Sequence, residues 1–183
     1  MAGGNPLVTP TTSTAPTFPP AIVDAALDAG LSALGENYAQ ELLEKVGRQV
    51  RCGSAAEVGP ASSDPVRWQF IGALQRNKVR QLAPYVHRWQ SIDRPALVDE
   101  LARRAPHARL LVQVNTTGEP RKAGCAPADV GPLVERAMAA DLVVEGLMTV
   151  GPTDPHVSPL TSFRLLRDLV DRHGLRWLSL IHI

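Results

Sequence analysis

Short apolar runs alternate with amphipathic segments along the chain from about residue 21 onward. Apolar runs that are rich in β-branched and aromatic residues are typical of strands, and apolar residues three and four positions apart are typical of helices. Strands are predicted at 31–37, 66–72, 87–93, 108–115, 142–148 and 175–180. Helices are predicted at 21–30, 38–50, 73–84, 94–105, 127–140 and 160–174. The segment 51–65, rich in glycine, alanine, serine and proline, is predicted to be a loop.

Local signals refine the ends and the faces of individual helices. Asp93 directly precedes the helix 94–105 and is able to cap it, and Asn37 is able to cap the helix 38–50. In the first helix the residues predicted to share one face are Ile22, Ala25, Ala26 and Ala29. In the last helix the residues predicted to face inward are Leu160, Phe163, Leu166, Leu169 and Val170.

Strands that alternate with helices through short connections indicate a parallel α/β fold. The pattern alone is compatible with a (β/α)8 barrel and with an open, doubly wound sheet. No Gly-x-Gly-x-x-Gly segment follows a predicted strand, which weakens the dinucleotide-binding version of the open sheet. A complete barrel takes about 250 residues, whereas this chain has 183 residues.

Charge and composition limit the partners and the cellular compartment to be expected for the chain. The formal net charge is +1, so bulk electrostatics gives no reason to expect nucleic acid or an anionic membrane as a partner. No apolar run reaches the roughly 20 residues of a membrane-spanning helix. Cys52 and Cys125 lie far apart, which fits reduced thiols in the cytoplasm, and the histidines show no metal-ligand spacing.

Polar motifs follow the predicted strands in a fixed order. They read G-E-N-Y-x-Q-E at 35–41, W-x-F-I-G-x-L-Q-x-N-K at 68–78, S-I-D-R at 91–94, V-N-x-x-G-E-x-x-K-x-G at 114–124 and G-L-M-T-V at 146–150. Polar residues at the carboxyl ends of parallel strands are where α/β folds place their ligand-binding groups. Each motif alone also fits a turn, a helix start or core packing.

Taken together, the five motifs resemble those of the pyridoxal 5′-phosphate (PLP) homeostasis protein family. That family is similar in fold to the N-terminal barrel of alanine racemase, so the resemblance implies an α/β, TIM-barrel-like (β/α)8 fold over residues 17–183. It also implies a PLP-binding protein that buffers or delivers the cofactor without turnover, with PLP-dependent apoenzymes as partners. At matching positions, Asn37 and Met148 would lie near the pyridine ring and Ser179 near the phosphate.

Three departures from the family pattern affect this expectation. The lysine that forms an imine with PLP in the family falls at Pro16, inside a proline-rich segment, so residues 1–16 are predicted to be a disordered or atypical N-terminal arm. The histidine usual before F-I-G is Gln69. After Ser179 the chain lacks the family's G-S-T-x-V-R-I-G segment of the eighth strand, which holds the phosphate. The predicted barrel is therefore incomplete, with an atypical first strand and no eighth strand.

The departures leave two alternatives to a PLP-binding protein. One is a fragment of such a protein that binds no ligand. The other is a PLP-dependent enzyme resembling a racemase or decarboxylase, and racemisation needs acid and base groups on both faces of the substrate. In alanine racemase one of these groups comes from a second domain, for which this chain has no room. The non-enzymatic interpretation is therefore favoured.

Overall fold

The computed structural model describes residues 21–51, 66–154 and 156–181. The predicted arm at 1–16 and most of the predicted loop at 51–65 lie outside the described residues, as does the position of Pro16. The helices are α1 (Ala21–Asp28), α2 (Ala39–Arg51), α3 (Val79–Leu82), α4 (Pro95–Arg104), α5 (Val130–Ala139) and α6 (Leu160–Arg172). The strands are β1 (Ala33–Glu36), β2 (Arg67–Phe70), β3 (Val86–Ile92), β4 (Arg109–Gln113), β5 (Val143–Val150) and β6 (Trp177–Ile181).

All six strands pair in parallel, in the order β1-β2-β3-β4-β5-β6. A doubly wound sheet would reverse its order at a switch point, and this sheet does not. The sheet is curled, because Ser179 on β6 reaches Gln90 on β3, with two strands lying between them in the sheet. The described residues therefore form a partial (β/α) barrel, as predicted.

The two faces of the curled sheet are packed differently. The larger buried cluster joins alternate strand residues such as Trp68, Phe70 and Val112 to the apolar sides of the helices. A smaller buried cluster consists of Ile71, Leu111, Met148 and Ile181. Because successive side chains of a strand point to opposite faces, the smaller cluster lies on the concave, inner face. The described helices therefore cover the outer face of the sheet.

The predicted elements are all present, but two predicted faces are partly wrong. In α1, Val23 is buried while Ile22 is 43% exposed, so the inward face is rotated from the predicted one. In α6, Leu166, Leu169 and Val170 are buried as predicted, whereas Leu160, the first residue of the helix, is 57% exposed. The α1 pattern could not identify the buried face, because alanine is small enough to lie on either face of a short helix.

Two local predictions on the β2 and β3 connections also need correction. The predicted helix at 73–84 is reduced to a 3-10 turn, Arg76–Lys78, followed by the single turn of α3. Asp93 does not cap α4, whose N-cap residue is Arg94. The Asp93 carboxylate instead accepts hydrogen bonds from the Arg94 side chain and from the backbone amide of Gly124 at 3.3 Å.

Gly146 is required by the close pairing of β5 with β6. A Cβ atom at this position would lie 1.9 Å from the carbonyl oxygen of Trp177. We expect Gly146→Ala to lower the free energy of unfolding by about 2–3 kcal/mol, because the backbone of β6 must shift to admit the methyl group. Urea denaturation measures the change.

Gly131→Ala in α5 is the matched control, since the added Cβ meets only the His173 side chain at 3.2 Å and alanine favours the helix. We expect its stability to equal or exceed that of the wild type. Equal losses in the two variants would contradict the assignment of a close β5–β6 contact.

Candidate functional site on the inner face of the sheet

The amino-terminal end of the inner face is closed by a buried ion-pair cluster. Arg88 donates to one carboxylate oxygen of Glu145, and Arg109 donates to the other at 2.8 Å. The side chains of Arg88 and Glu145 are both 7% exposed, and the Arg88 guanidinium lies 4.4 Å from the ring centroid of Trp177. Burial acts to raise the pKa of Glu145, but the hydrogen bonds from Arg88 and Arg109 outweigh it and hold the pKa below its ordinary value.

Above this cluster, a chain of uncharged polar groups crosses the inner face. The Gln90 side-chain amide donates to Gln69 Oε1, and Ser179 Oγ donates to Gln90 Oε1 at 2.7 Å. All three side chains are buried. Gln69, at the position where the resemblance expects histidine, therefore takes part in the chain as a neutral hydrogen-bonding group. The adjacent Ser91 Oγ is buried without a hydrogen-bond partner among the described residues.

The structure brings two of the three predicted site residues together. Met148 and Ser179 are direct neighbours in the β5–β6 pairing, and both are buried. Asn37 follows β1, at the opposite end of the strand order from β6, and no described contact joins it to the other two. Its backbone carbonyl packs closely against Gly72, where a Cβ atom would lie 1.8 Å away.

The predicted cap of α2 by Asn37 does not form, and Glu36 instead binds the two backbone amides that precede the helix. One oxygen of the Glu36 carboxylate accepts the backbone amides of Asn37 at 2.8 Å and Tyr38 at 3.2 Å. The other oxygen pairs with Lys45 on α2. The first α2 hydrogen bond runs from Leu42 to the Tyr38 carbonyl at 3.0 Å, so the helix begins after Tyr38. The Asn37 side chain has no hydrogen bond to another described residue, which leaves its amide free for a ligand.

The motif at 114–124 forms a tightly fastened loop at the carboxyl end of β4. The side chain of Asn115 accepts the backbone amide of Gly118 at 3.0 Å and donates to the Glu119 carbonyl at 2.9 Å. Gly124 adopts φ +122°, and a Cβ there would lie 2.5 Å from the Asn115 nitrogen. The Lys122 ammonium donates to the Gly151 carbonyl. The motif is thus explained by loop geometry.

Glu119 joins this loop to the segment after β5. Its hydrogen bonds predict that this contact persists at low pH. Bonds from the side chain and the backbone of Thr153 and from Lys122 lower the pKa of Glu119 to about 2. A lowered carboxyl pKa contributes stability above its unfolded value that is lost as pH falls through the folded value. We therefore expect amide-exchange protection at Thr153 to persist at pH 3 and to fall near pH 2.

Glu119→Gln is expected to lower this protection at pH 7 and to remove its pH dependence between pH 2 and 4. Hydrogen exchange read by mass spectrometry resolves the 151–154 segment. Glu135→Gln on the exposed side of α5 is the control and should leave the segment unchanged. If the Thr153 amide of the wild type already lost its protection at pH 4, the assigned role of the Glu119 hydrogen bonds would be contradicted.

None of the three lysines of the chain lies on the described inner face. Lys45 pairs with Glu36 and Glu41 on the helix side of β1, and Lys122 is bonded in the 115–124 loop. Lys78 lies in the 3-10 turn between β2 and α3. The described inner face offers amides, hydroxyls and apolar surface to a ligand, but no amine. These groups suit hydrogen bonding to PLP, and none on the described inner face could attach the cofactor covalently.

Sequence reasoning missed Gln90 and Arg88. Both lie on β3, which reads VHRWQSI, and their alternation with the apolar Trp89 was the available signal. Their partners Ser179 and Glu145 lie on strands that do not neighbour β3 in the sheet. No sequence spacing predicts such partners, because the curl of the sheet brings them together.

The chain is similar to the pyridoxal phosphate homeostasis proteins of two bacteria. It is 34% identical to that of Pseudomonas aeruginosa over 175 residues, which cover 92% of this chain and 71% of the relative. It is 35% identical to that of Aquifex aeolicus over 164 residues, which cover 85% of this chain and 65% of the relative. The chain thus spans about two thirds of the length of these relatives.

Two solved structures have the same fold as the chain. PipY of Synechococcus elongatus with PLP bound superposes with a TM-score of 0.68 at 21% identity, covering 90% of this chain and 86% of that one. An alanine racemase of Clostridium difficile superposes at 0.63 with 12% identity, covering 87% of this chain and 41% of the racemase. Both share the fold. No protein-family model matches the chain. On the sequence relationship to the Pseudomonas protein, the chain belongs to the pyridoxal phosphate homeostasis protein family.

Proposed function

We propose that the chain is the PLP-binding part of a homeostasis protein that buffers or delivers the cofactor without turning over a substrate. The hydrogen-bonded pair Ser179–Gln90 beside buried Met148 carries the proposal. It places a hydroxyl and an amide next to apolar surface in a concave site, which is the usual composition of a cofactor pocket. The names of the relatives and the PLP-bound form of PipY support it.

Each inner-face residue has a defined part in this proposal. Ser179 would hydrogen-bond the phosphate, and Met148 and Asn37 would contact the pyridine ring. The Ser179 hydroxyl donates to Gln90 in the structure, so its single hydrogen would turn from Gln90 to a phosphate oxygen when PLP binds. When bound, PLP supplies an electrophilic aldehyde and an electron-withdrawing ring. The residues of this chain bind and orient the cofactor and shield it from water.

The polar composition of the inner face supports binding without catalysis. Gln69, Gln90, Gln113 and Ser179 are uncharged over the working pH range. The charged pair Arg88–Glu145 is engaged at the amino-terminal end. A racemase-like enzyme would need acid and base groups on both faces of the substrate, and nothing on the described inner face supplies such a pair. This favours the non-enzymatic function over the racemase-like one.

The cellular setting belongs to the same proposal. In the described residues no helix is long and apolar enough to cross a membrane. Cys125 is a free, buried thiol whose pKa is raised to about 12, chiefly by burial. We propose a cytoplasmic protein whose partners are PLP and PLP-dependent apoenzymes. The net charge of +1 gives no support to nucleic acid or an anionic membrane as a partner.

Equilibrium dialysis with PLP tests the proposed site. Loss of one hydrogen bond to a charged ligand costs about 1.5–3 kcal/mol, so we expect Ser179→Ala to weaken PLP binding by about tenfold or more. Ser162→Ala, which removes a buried hydroxyl on α6 outside the site, should bind PLP like the wild type.

The same titration separates the alternatives. A wild-type chain that retains no PLP in the millimolar range would favour the fragment that binds no ligand. Equal affinities in the Ser179→Ala variant and the wild type would place the cofactor elsewhere and contradict the proposed role of Ser179.

A further inference from the structure

A basic groove lies between α4 and the connections that follow β2 and β3, and it shares no lining residue with the candidate cofactor site. It has a volume of about 650 Å³ and is lined by four arginines, one glutamate and two amides: Arg76, Arg94, Arg103, Arg104, Glu100, Gln75 and Asn77. Its walls are the 3-10 turn after β2 with the preceding Gln75, the N-cap residue of α4 and the carboxyl-terminal half of α4. Four of these residues (Gln75, Arg76, Asn77 and Arg94) belong to the motifs at 68–78 and 91–94 and have no part in the proposed cofactor site.

The guanidinium groups of the groove are arranged around one buried carboxylate. The Glu100 side chain is 8% exposed and pairs with Arg76 at 3.4 Å, with Arg104 at 3.2 Å and with Arg103. Burial acts to raise the pKa of Glu100, but Arg104 and Arg103 outweigh it, so the pKa lies below its ordinary value. Glu100 is therefore ionised at neutral pH and holds the three guanidinium groups in fixed positions.

Arg94 completes the groove from the other side. Its guanidinium donates to the Leu74 carbonyl at 2.9 Å and to the Asp93 carboxylate at 2.6 Å. Four guanidinium groups thus face two carboxylates, which leaves two positive charges uncompensated. In a chain whose total net charge is +1, this is a pronounced local excess.

The exposure of the arginines indicates the kind of ligand. Their side chains remain between 40% and 64% exposed although three of them are held by Glu100. Guanidinium groups keep several donors in a planar fork, which suits bidentate contacts to carboxylates. The charges are spread over three elements along an open groove. Such a surface suits several carboxylates spaced along an extended segment better than one compact anion.

We infer that this groove is a docking surface for an acidic peptide segment of a partner protein. The partner's carboxylates take the free donor positions of Arg76 and Arg103, and the amides of Gln75 and Asn77 bind its backbone. Complementary charge at such a rim raises the association rate and sets partner choice. The inference goes beyond the proposed function, because the groove contains no residue of the cofactor site.

Fluorescence anisotropy with labelled hexaglutamate and the full chain, without PLP, tests the docking surface. We expect saturable binding at 50 mM salt that weakens at least tenfold in Arg76→Gln/Arg103→Gln, two substitutions at exposed side chains. The control Arg136→Gln/Arg167→Gln removes two guanidinium groups that pair with Asp99 and Asp171 elsewhere on the surface. It changes the net charge equally and should alter affinity less than twofold.

Three results would overturn the inference. Equal weakening in the two double variants would show a bulk charge effect. Hexaglutamine binding as tightly as hexaglutamate would remove the role of carboxylates. Tripolyphosphate displacing hexaglutamate at a lower concentration, with the same dependence on Arg76 and Arg103, would identify a small-anion site instead. Circular dichroism melts confirm that each variant is folded, and failure here leaves the PLP titration of Ser179→Ala unaffected.

Discussion

Replacing Arg88 by alanine is expected to lower the free energy of unfolding by about 3 kcal/mol, the lower end of the cost of breaking a buried ion pair. The change removes the guanidinium that pairs with Glu145 and covers the ring of Trp177. Glu145 then remains buried, with Arg109 as its partner. That second arginine keeps the loss from being larger.

Arg109→Ala is the matched control for Arg88→Ala. It removes the other guanidinium from the same carboxylate, but its side chain is 46% exposed, and exposed ion pairs contribute about 0–1 kcal/mol. We therefore expect a loss below about 1 kcal/mol. Urea denaturation of both variants measures the difference. Similar losses for the two would show that the number of charges, and not the burial of Arg88, determines stability.

The pH dependence of the Arg88 effect has a definite sign. The pKa of Glu145 is lowered in the folded protein, so its contribution to stability is present above the unfolded carboxyl pKa and is lost as pH falls through the folded one. A protonated Glu145 cannot form the ion pair. The difference in stability between wild type and Arg88→Ala should therefore shrink as the pH falls below about 4. A difference that stays constant to pH 2 would assign the effect to packing against Trp177.

The fold was predictable because every strand meets the same packing requirement on the outer face of the sheet. Each strand must present apolar residues such as Trp68, Leu110 or Leu147 to a helix whose own apolar residues recur at helical spacing. That requirement is local and therefore visible in the sequence. The prediction failed where the local signal was ambiguous. In α1 the alanines were predicted to face inward, but the buried residue is Val23.

The candidate site was less predictable, because its contacts join distant parts of the chain. The motifs led to Met148 and Ser179, which the structure places side by side. They did not indicate that Gln90 holds Ser179 across the curl of the sheet. Nor did they show that Glu36, and not Asn37, accepts the first amides before α2. The carboxylate of Glu36 also has Lys45 to pair with, a contact that depends on how α2 packs against β1.

PLP is expected to leave no site-specific covalent label on any lysine of the chain as given. Capture of the aldehyde needs an amine held beside it by a site that also grips the phosphate. Lys45 is engaged by Glu36 on the helix side of the sheet, and Lys122 is bonded to the Gly151 carbonyl in its loop. Lys78 lies in the 3-10 turn outside the inner face. By the resemblance to the family, the position of its imine lysine is predicted to fall at Pro16.

Borohydride reduction followed by peptide mass spectrometry measures the label. We expect only a trace that grows in proportion to PLP concentration and is spread over the three lysines. Pro16→Lys alone should not restore capture, because Pro19 and Pro20, three and four residues further on, lack the backbone N–H donors that a paired strand needs. A version given family-like sequence at both ends should be labelled stoichiometrically at the new lysine. Saturable, stoichiometric label on Lys45, Lys78 or Lys122 of the unmodified chain would show that an amine reaches the cofactor by a route absent from the described inner face.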